Sequence, residues 1–430
     1  MNTQKKFIIF TLLGLLFSWL VSCSTNPTPS NSPQTQGGVK TEQIEFWTMQ
    51  LQPQYTDYFN QLITDFQTTN PHIKVSWQDI PWSGMQSKIL TSVSAKTAPD
   101  VVNLNPDFAS ELASRNAWLT LDAKIPDAIR QEYLPNMWQA NSLNKAIFGI
   151  PWYLTTNVTI YNTDLLKQAG ITTAPTTYIE LAQVAQKVKE KTGKYAFFIT
   201  CVPTDSNELL ESLVSMGVKL VDDQGKAAFN SAEGKTAFQY WVDLYKKGFL
   251  PKESLTQGQR DGINLYQSGQ TAILLSGSEV LNTIEKNAPA IAKVSAISPQ
   301  IAGSTNKTNV AVMNLVINND SKHPDAALKF ALFVTNNQNQ LVFAQKANVL
   351  PSTQKALNDS YFQKVSSPSN LAEQARIISA KQLKTADVLI PPLKNIKVLK
   401  KAIYENIQGA MLGQKTVDQA LSDAEKEFNS

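Results

Sequence analysis

The sequence predicts an α/β protein of two lobes, with parallel-rich sheets flanked by helices. Three observations carry that reading. At 430 residues the chain is long for a single hydrophobic core, because such cores stop growing near ~250–300 residues. From residue 43 onward, apolar residues alternate with period 2, then recur at helical spacing, and the two patterns follow one another in turn. Strand–helix–strand–helix order is what a parallel sheet with crossover helices produces. The same alternation starts again after residue 150, which argues for a second lobe.

The elements follow in order. Gln-Ile-Glu-Phe-Trp-Thr, residues 43–48, reads as the first strand. Tyr55, Tyr58, Phe59, Leu62, Ile63 and Phe66 then recur at helical spacing until Asn70-Pro71 stops the helix. Ile73, Val75 and Trp77 alternate as a second strand, and residues 83–97 read as a helix. Pro99-Asp100-Val101-Val102-Asn103-Leu104 is a short buried strand, with a helix from about Pro106. In the second lobe, residues 158–161 are β-rich, 178–191 helical, and 195–200 a strand. Asn230 and Glu233 look like a capping box opening a helix over 231–247 that ends at Gly248. A short helix over 263–268, a strand over 271–275 and a strand over 310–317 follow. Pro324 sits in the first turn of a helix reaching about residue 336. Helices over 398–412 and 417–428 end the chain.

The N-terminus belongs to no fold. Lys5 and Lys6 precede roughly 15 mostly apolar residues, 7–21. A bilayer core needs about 20 residues, so the run is short for a span and right for a cleaved signal. Leu20-Val21-Ser22-Cys23 resembles the lipobox of bacterial lipoproteins. That resemblance implies removal of residues 1–22 and a lipid on Cys23, with a signal anchor as the alternative. Acyl chains contribute ~0.8 kcal/mol per buried CH₂, so several on one residue anchor stably. Residues 23–41 then form a tether, because the Ser/Pro/Thr/Asn-rich stretch 24–38 lacks apolar side chains to offset its ordering entropy. With Cys23 acylated, the other cysteine, Cys201, has no partner for a disulfide and reads as a buried thiol after an apolar run.

The body resembles the sugar-type solute-binding receptors of bacterial ABC importers, the maltose- and glycerol-phosphate-binding-like family. Five stretches in family order carry the resemblance: residues 98–102 (APDVV), 149–170 (from GIPWY through IYNTDLL to AG), 175–181 (PTTYIEL), 268–273 (SGQTAI) and 417–421 (VDQAL). It spans about residues 42–428 and implies a two-lobe flytrap with several hinge crossings. Lobe one would hold 42–152 and 308–352; lobe two would hold 156–305 and 353–430. The crossings would fall near 151–157, 303–309 and 350–352. Ligands of open α/β sheets sit at the carboxyl ends of strands, and hinge closure adds the second lobe's contacts. The resemblance also implies an ABC permease as partner, a monomeric receptor, no cofactor, and a place outside the cytoplasm, held to a membrane by lipid.

A sugar presents hydroxyls on its rim and C–H groups on its faces, so its site needs aromatic platforms beside amides and carboxylates. The candidates lie just after strands. Trp47 and Gln50 end the first strand; Trp47 fits core or platform. Trp82, in the polar loop Pro81-Trp82-Ser83-Gly84, and Gln86 follow the second strand. Asn105 and Asp107 follow the third, where Asp107 could simply cap a helix. Trp152 and Tyr153 occupy the first crossing, with hinge packing as the alternative. Asp205 and Asn207 follow the strand at 195–200, with an Asx turn as the alternative. Many family members carry a stacking tryptophan where this chain has Glu279, and an aromatic near 391–394, where Lys394 stands. Both departures point away from a maltodextrin and toward a smaller, more polar sugar or polyol glycoside.

Other classes fit less well. Net charge is +4 without a basic run, so nucleic acid is not expected. Only two histidines exist, His72 and His323, both beside prolines, so no metal cluster is expected. No Gly-rich phosphate loop and no glycosidase motif is present, so no enzyme is expected. A polyamine receptor, drawing on Asp107, Asp205 and Glu279, and a sensor docking to a signalling receptor are the alternatives.

Overall fold

A computed structural model describes residues 40–367, 370–390, 392–393 and 395–430. The signal, Cys23, residues 24–38 and Lys394 lie outside the described residues. Residues Thr41–Ser430 form one unit.

The first strand, β1 (Glu42–Met49), is buried on both faces. Ile44 and Phe46 face an aromatic cluster with Phe59, Phe66 and Phe330, while Trp47 and Met49 face a second cluster with Ile80 and Met85. This is the period-2 split of a sheet sandwiched between helices. Helix α1 (Thr56–Thr69) covers the first face through Phe59, Leu62, Ile63 and Phe66. β2 (Ile73–Ile80) and β3 (Val101–Leu104) both pair parallel with β1. Helix α2 (Trp82–Ser94) follows β2, and α3 (Pro106–Ala113) follows β3 with Asn105 as its N-cap. The short helices α4 (Asp127–Arg130) and α5 (Pro135–Gln139) and the hairpin β4 (Ser142–Leu143), β5 (Ala146–Ile147) lead to β6.

β6 (Ile150–Asn162) joins the lobes as one unbroken strand. Its first half, through Thr156, pairs with β9; its second half, from Asn157, pairs with β7 and β8. After β6 come α6 (Thr163–Gln168) and α7 (Tyr178–Thr192), the latter opened by a Thr177/Glu180 capping box and closed by left-handed Gly193. α8 (Glu208–Ser215), α9 (Ala232–Lys246) and α10 (Gln259–Gln267) lead to β7 (Ile273–Gly277). α11 (Val280–Asn287), α12 (Pro289–Lys293) and β8 (Ser295–Ser298) follow. β9 (Thr308–Ile317) then returns to the first lobe and meets β3 antiparallel. α13 (Pro324–Val334) and α14 (Asn337–Ala347) pack there, before β10 (Leu350–Pro351) crosses beside Tyr153 and Leu154. α15 (Gln354–Leu357) packs against α14 and β10. α16 (Leu371–Gln382), β11 (Ala386–Asp387), α17 (Ile396–Met411) and α18 (Val417–Asn429) complete the chain. Leu399, Ile403 and Ile407 of α17, with Ala420, Leu421 and Ala424 of α18, enter the second lobe's core beside Trp241 and Phe238.

Three expectations need correction. The sheet is mixed rather than parallel-rich. Among the described strands, parallel pairing is confined to β1–β2, β1–β3 and β9–β11, while β9 and β6 pair antiparallel with their other neighbours. Strands that carry the chain to the second lobe and back must run in opposite directions. Residues 195–200 form no strand. β7 starts at Ile273, so only Ala196 reaches it; Tyr195 bonds to Gln270 and Ala272 ahead of it, Thr200 Oγ1 donates to Gln257 O at 2.8 Å, and the next residue, Cys201, donates its N–H to Ser254 O of a 3-10 turn at 2.8 Å. The cap of α9 is Ser231, which accepts from Gly234 N at 3.1 Å; Asn230 instead donates to Glu425 at 2.6 Å. Cys201 is fully buried, and desolvation pushes its thiol pKa up to about 12.

The return to the first lobe before β9 is tight. Gly303 N donates to Ser215 Oγ at 2.7 Å, and a Cβ at Gly303 would overlap the Ser215 carbonyl. Gly303→Ala should therefore lower stability by about 1–3 kcal/mol. Gly84→Ala in α2, where a Cβ meets nothing within 4 Å, should hold or slightly raise it. Thermal unfolding of both variants checks the contrast, and equal melting points would refute it.

Candidate functional site

The strand directions locate the site. β9 runs from the second lobe into the first, and β3 is antiparallel to it. β1, β2 and β3 therefore all end facing the second lobe. Their following loops carry polar side chains held by one another. Asp79 accepts from Thr48 Oγ1 at 2.6 Å, Leu51 N at 2.9 Å and Gln52 N at 3.1 Å, which ties the loop after β1 to β2. Gln50, in a left-handed conformation, accepts from Trp82 N at 3.1 Å. Trp82 stays 47% exposed, its ring 6.5 Å from that of Phe108. The indole is open to solvent in a polar loop at the strand ends. Gln86 donates to Glu111 at 3.1 Å.

The second lobe meets these groups directly. Asn207, at the start of α8, donates to Asp107 at 3.3 Å. Lys397 of α17 reaches Glu111 at 3.2 Å. Behind Asn207 lies a charged cluster. Asp205 accepts from Gln259 N at 2.9 Å, and Glu208 accepts from Gln259 Nε2 at 2.9 Å. Lys400, only 9% exposed, donates to the Asp205 carbonyl at 3.2 Å. Glu208 and Glu211 sit one helical turn apart on α8 and line a cavity of about 20 Å³ with Asn157, Tyr178, Gln300 and Lys307, room for little more than a water. Burial, then the nearby Glu211 and Asp205 carboxylates, push the Glu208 pKa up to about 8. Burial and Asp107 push Glu211 up to about 7, against the opposing pull of Lys400 and a hydrogen bond from Asn309.

The remaining candidates are placed differently. Asn105 serves α3 as its cap, accepting from Phe108 N at 2.9 Å. Trp47 is 4% exposed, donates to Glu45 at 2.7 Å and lies under the Lys88 ammonium. Trp152 is fully buried, stacked on Phe343 and edge-on to Phe59. Both indoles are core packing. Tyr153 is half-buried beside them, its hydroxyl pKa raised by desolvation. Glu279 lies apart from the Asp107–Asn207 contact, in a small crevice between the lobes with Thr155, Ser278, Asn348 and Arg376. Much of Glu279 stays open to solvent, yet the protein crowding its carboxyl raises its pKa. Among the described residues, no group of three or more His, Cys, Asp or Glu could hold a metal ion, and no helix is long and apolar enough to cross a membrane.

Sequence reasoning missed Glu111, Glu208, Glu211, Lys397 and Lys400. For two of them a signal existed: in Glu208-Leu-Leu-Glu211, right after Asn207, two carboxylates share one face of a helix whose leucines go inward.

A mixed α/β body of two lobes, bridged by continuous strands and closing polar strand ends on one another, is that of a solute-binding receptor. The chain belongs to the bacterial extracellular solute-binding protein family, whose model matches residues 52–341. A protein from Synechococcus sp. MITs9220, assigned as an oligosaccharide periplasmic-binding protein, superposes with a TM-score of 0.85 at 42% identity over 90% of this chain and 98% of that one; it has also been solved in complex with zinc. The mannitol-binding protein of Pseudomonas aeruginosa is 20% identical over 84% of this chain and 87% of its own. The diacetylchitobiose binding protein of Streptomyces coelicolor is 22% identical over 99% and 98%.

A carboxyl whose pKa is raised in the fold favours the folded state while protonated. An unfolded Glu titrates near 4.3. Stability from a neutral Glu208 is thus fully present below about pH 4 and is lost as pH rises toward 8. Glu208→Gln should flatten the fall in melting temperature between pH 5 and pH 9, as read by calorimetry; an unchanged pH profile would contradict the buried carboxyl.

Proposed function

We propose that this chain is the extracytoplasmic receptor of an ABC importer, which captures a sugar or polyol glycoside between its lobes and delivers it to the permease. The observation that carries this reading is the meeting of Asp107 and Asn207 across the lobes, beside the exposed Trp82. An aromatic face next to amides and carboxylates is the chemistry that a ring with hydroxyls requires. Curated relatives named for mannitol and diacetylchitobiose support a carbohydrate solute. Gln50, Trp82, Gln86, Asp107, Asp205 and Asn207 are the side chains we assign to the solute, with Glu279 reaching it from the crevice beside β6. The division of lobes at 42–152 plus 308–352 and 156–305 plus 353–430 follows the strand crossings, with residues 353–357 packed on the first lobe's α14. The receptor binds and releases its solute unchanged. It works as a monomer on the outer face of a membrane, with lipid on Cys23 and residues 23–41 as its tether.

Calorimetry against a panel of monosaccharides, disaccharides and polyol glycosides tests the reading, and no binding across the panel would sink it. With the best binder, Trp82→Ala should weaken affinity about tenfold, given an aromatic contact worth ~1 kcal/mol or more, and leave the melting temperature close to wild type. Glu279→Ala should also weaken it; wild-type affinity in both would remove those residues from the site. Cys23→Ala should move the protein from the membrane fraction to the soluble one in fractionated cells.

A further inference from the structure

The carboxylates at the meeting of the lobes outnumber the cations beside them. Asp205, Glu208 and Glu211 come from the second lobe and Asp107 from the first, while Lys400 is the buried ammonium among them. Lys307 lines the same cavity but is engaged by Asp387 at 2.8 Å. We propose that Glu211 makes closure of the lobes proton-linked, because closing brings Asp107 of one lobe to Asn207, one helical turn from Glu211 of the other, beside a cavity with room for little more than a water.

Each element packed around Glu211 contributes a group. From α3 comes Asp107, which opposes its ionisation; from α17 comes Lys400, which favours it. From β9 comes Asn309, whose Oδ1 takes the Leu389 N–H at 3.1 Å and so leaves its amide N–H₂ for the Glu211 carboxyl. Glu208 precedes it on α8, and the phenol groups of Tyr178 on α7 and Tyr404 on α17 lie close enough to feel both carboxyls. Most of these groups belong to the second lobe or to the hinge strand and stay near Glu211 as the lobes part. Asp107 does not. Its link to the second lobe is the 3.3 Å hydrogen bond from Asn207, which a hinge motion breaks. Opening therefore removes the opposing carboxylate and admits water, and both changes let Glu211 ionise more readily.

The closed form then binds more protons than the open form. By linkage, the closed-to-open ratio rises as pH falls, up to about tenfold per pH unit for one proton. The window runs from about 7, where burial and Asp107 hold Glu211 in the closed form, down to the ordinary glutamate range. The Lys400 ammonium softens the effect without cancelling it, since it answers Asp205 and Asp107 as well.

The inference rests on hinge closure and is independent of which solute the cleft takes, so its test uses none. Small-angle X-ray scattering of the full chain between pH 8 and pH 5 reads the balance of open and closed forms. The wild type should become more compact as pH falls. Glu211→Gln should be as compact at pH 8 as the wild type at pH 5 and lose the pH response. Asp107→Asn, on the other lobe, should also flatten the response, which keeps the test decisive if Glu211→Gln does not fold. A wild-type radius of gyration that does not change with pH overturns the proposal. So does an Asp107→Asn or Glu211→Gln chain that keeps the wild-type slope. A failed sugar panel with an intact pH response would overturn the solute class alone.

Discussion

The molecule depends on β6 remaining one strand while serving two sheets. Its first half is zipped to β9 and β10 and its second half to β7 and β8. A strand cannot slip by one residue without turning its buried set outward. Here a slip would expose Ile150, Trp152 and Leu154 in one lobe and Val158 and Ile160 in the other. The register of both lobes is thereby locked to the same thirteen residues. β6 leaves one set of partners for the next between Thr156 and Asn157, where a bend would keep both sets of pairs. That is the property a receptor hinge needs: each lobe stays rigid and the bend absorbs the motion.

That constraint also explains where the chemistry lies. Because β9 returns antiparallel to β6 and docks beside β3, the parallel trio β1–β3 must end at the gap between lobes. The loops there are polar because they leave the sheet at the gap between the lobes. Asp79 gathers three donors from the β1 loop, so that loop is held in place before anything binds. On the opposite side, α8 begins at the gap and points its carboxylates there while Leu209, Leu210 and Leu213 enter the core. Glu208 and Glu211 are held in a setting that resists their ionisation, a cost offset by the packing of the same helix.

Much of this architecture was legible from local pattern. The helices α1, α7, α13, α17 and α18 were read within a few residues of their ends, since apolar spacing and punctuation such as Asn70-Pro71 and Pro324 act within a turn or two. The segment after Tyr195 misled because an apolar, aromatic-rich run satisfies a buried strand and a buried irregular segment equally well. Its partner strand decides between them, and β7 lies in a different part of the sequence. Trp47 and Trp152 misled for a related reason. An indole beside a strand end can face the gap or the core, and the cluster of Phe59 and Phe343 that covers Trp152 is contributed by helices far along the chain.

The sequence by itself determined the longer helices α1, α7, α9, α13, α17 and α18, the strands β1, β2, β3 and β9, and that polar and aromatic side chains follow the strands. These depend on neighbours within a few residues, where side-chain period and backbone conformation are coupled. Tertiary structure alone decided the directions of the strands, the covering of Trp47 and Trp152, and the gathering of Asp107, Asn309 and Lys400 near Glu211. Direction, burial and charge interaction are set by distance through space. Residues hundreds of positions apart acquire that distance only when the strands have crossed and paired.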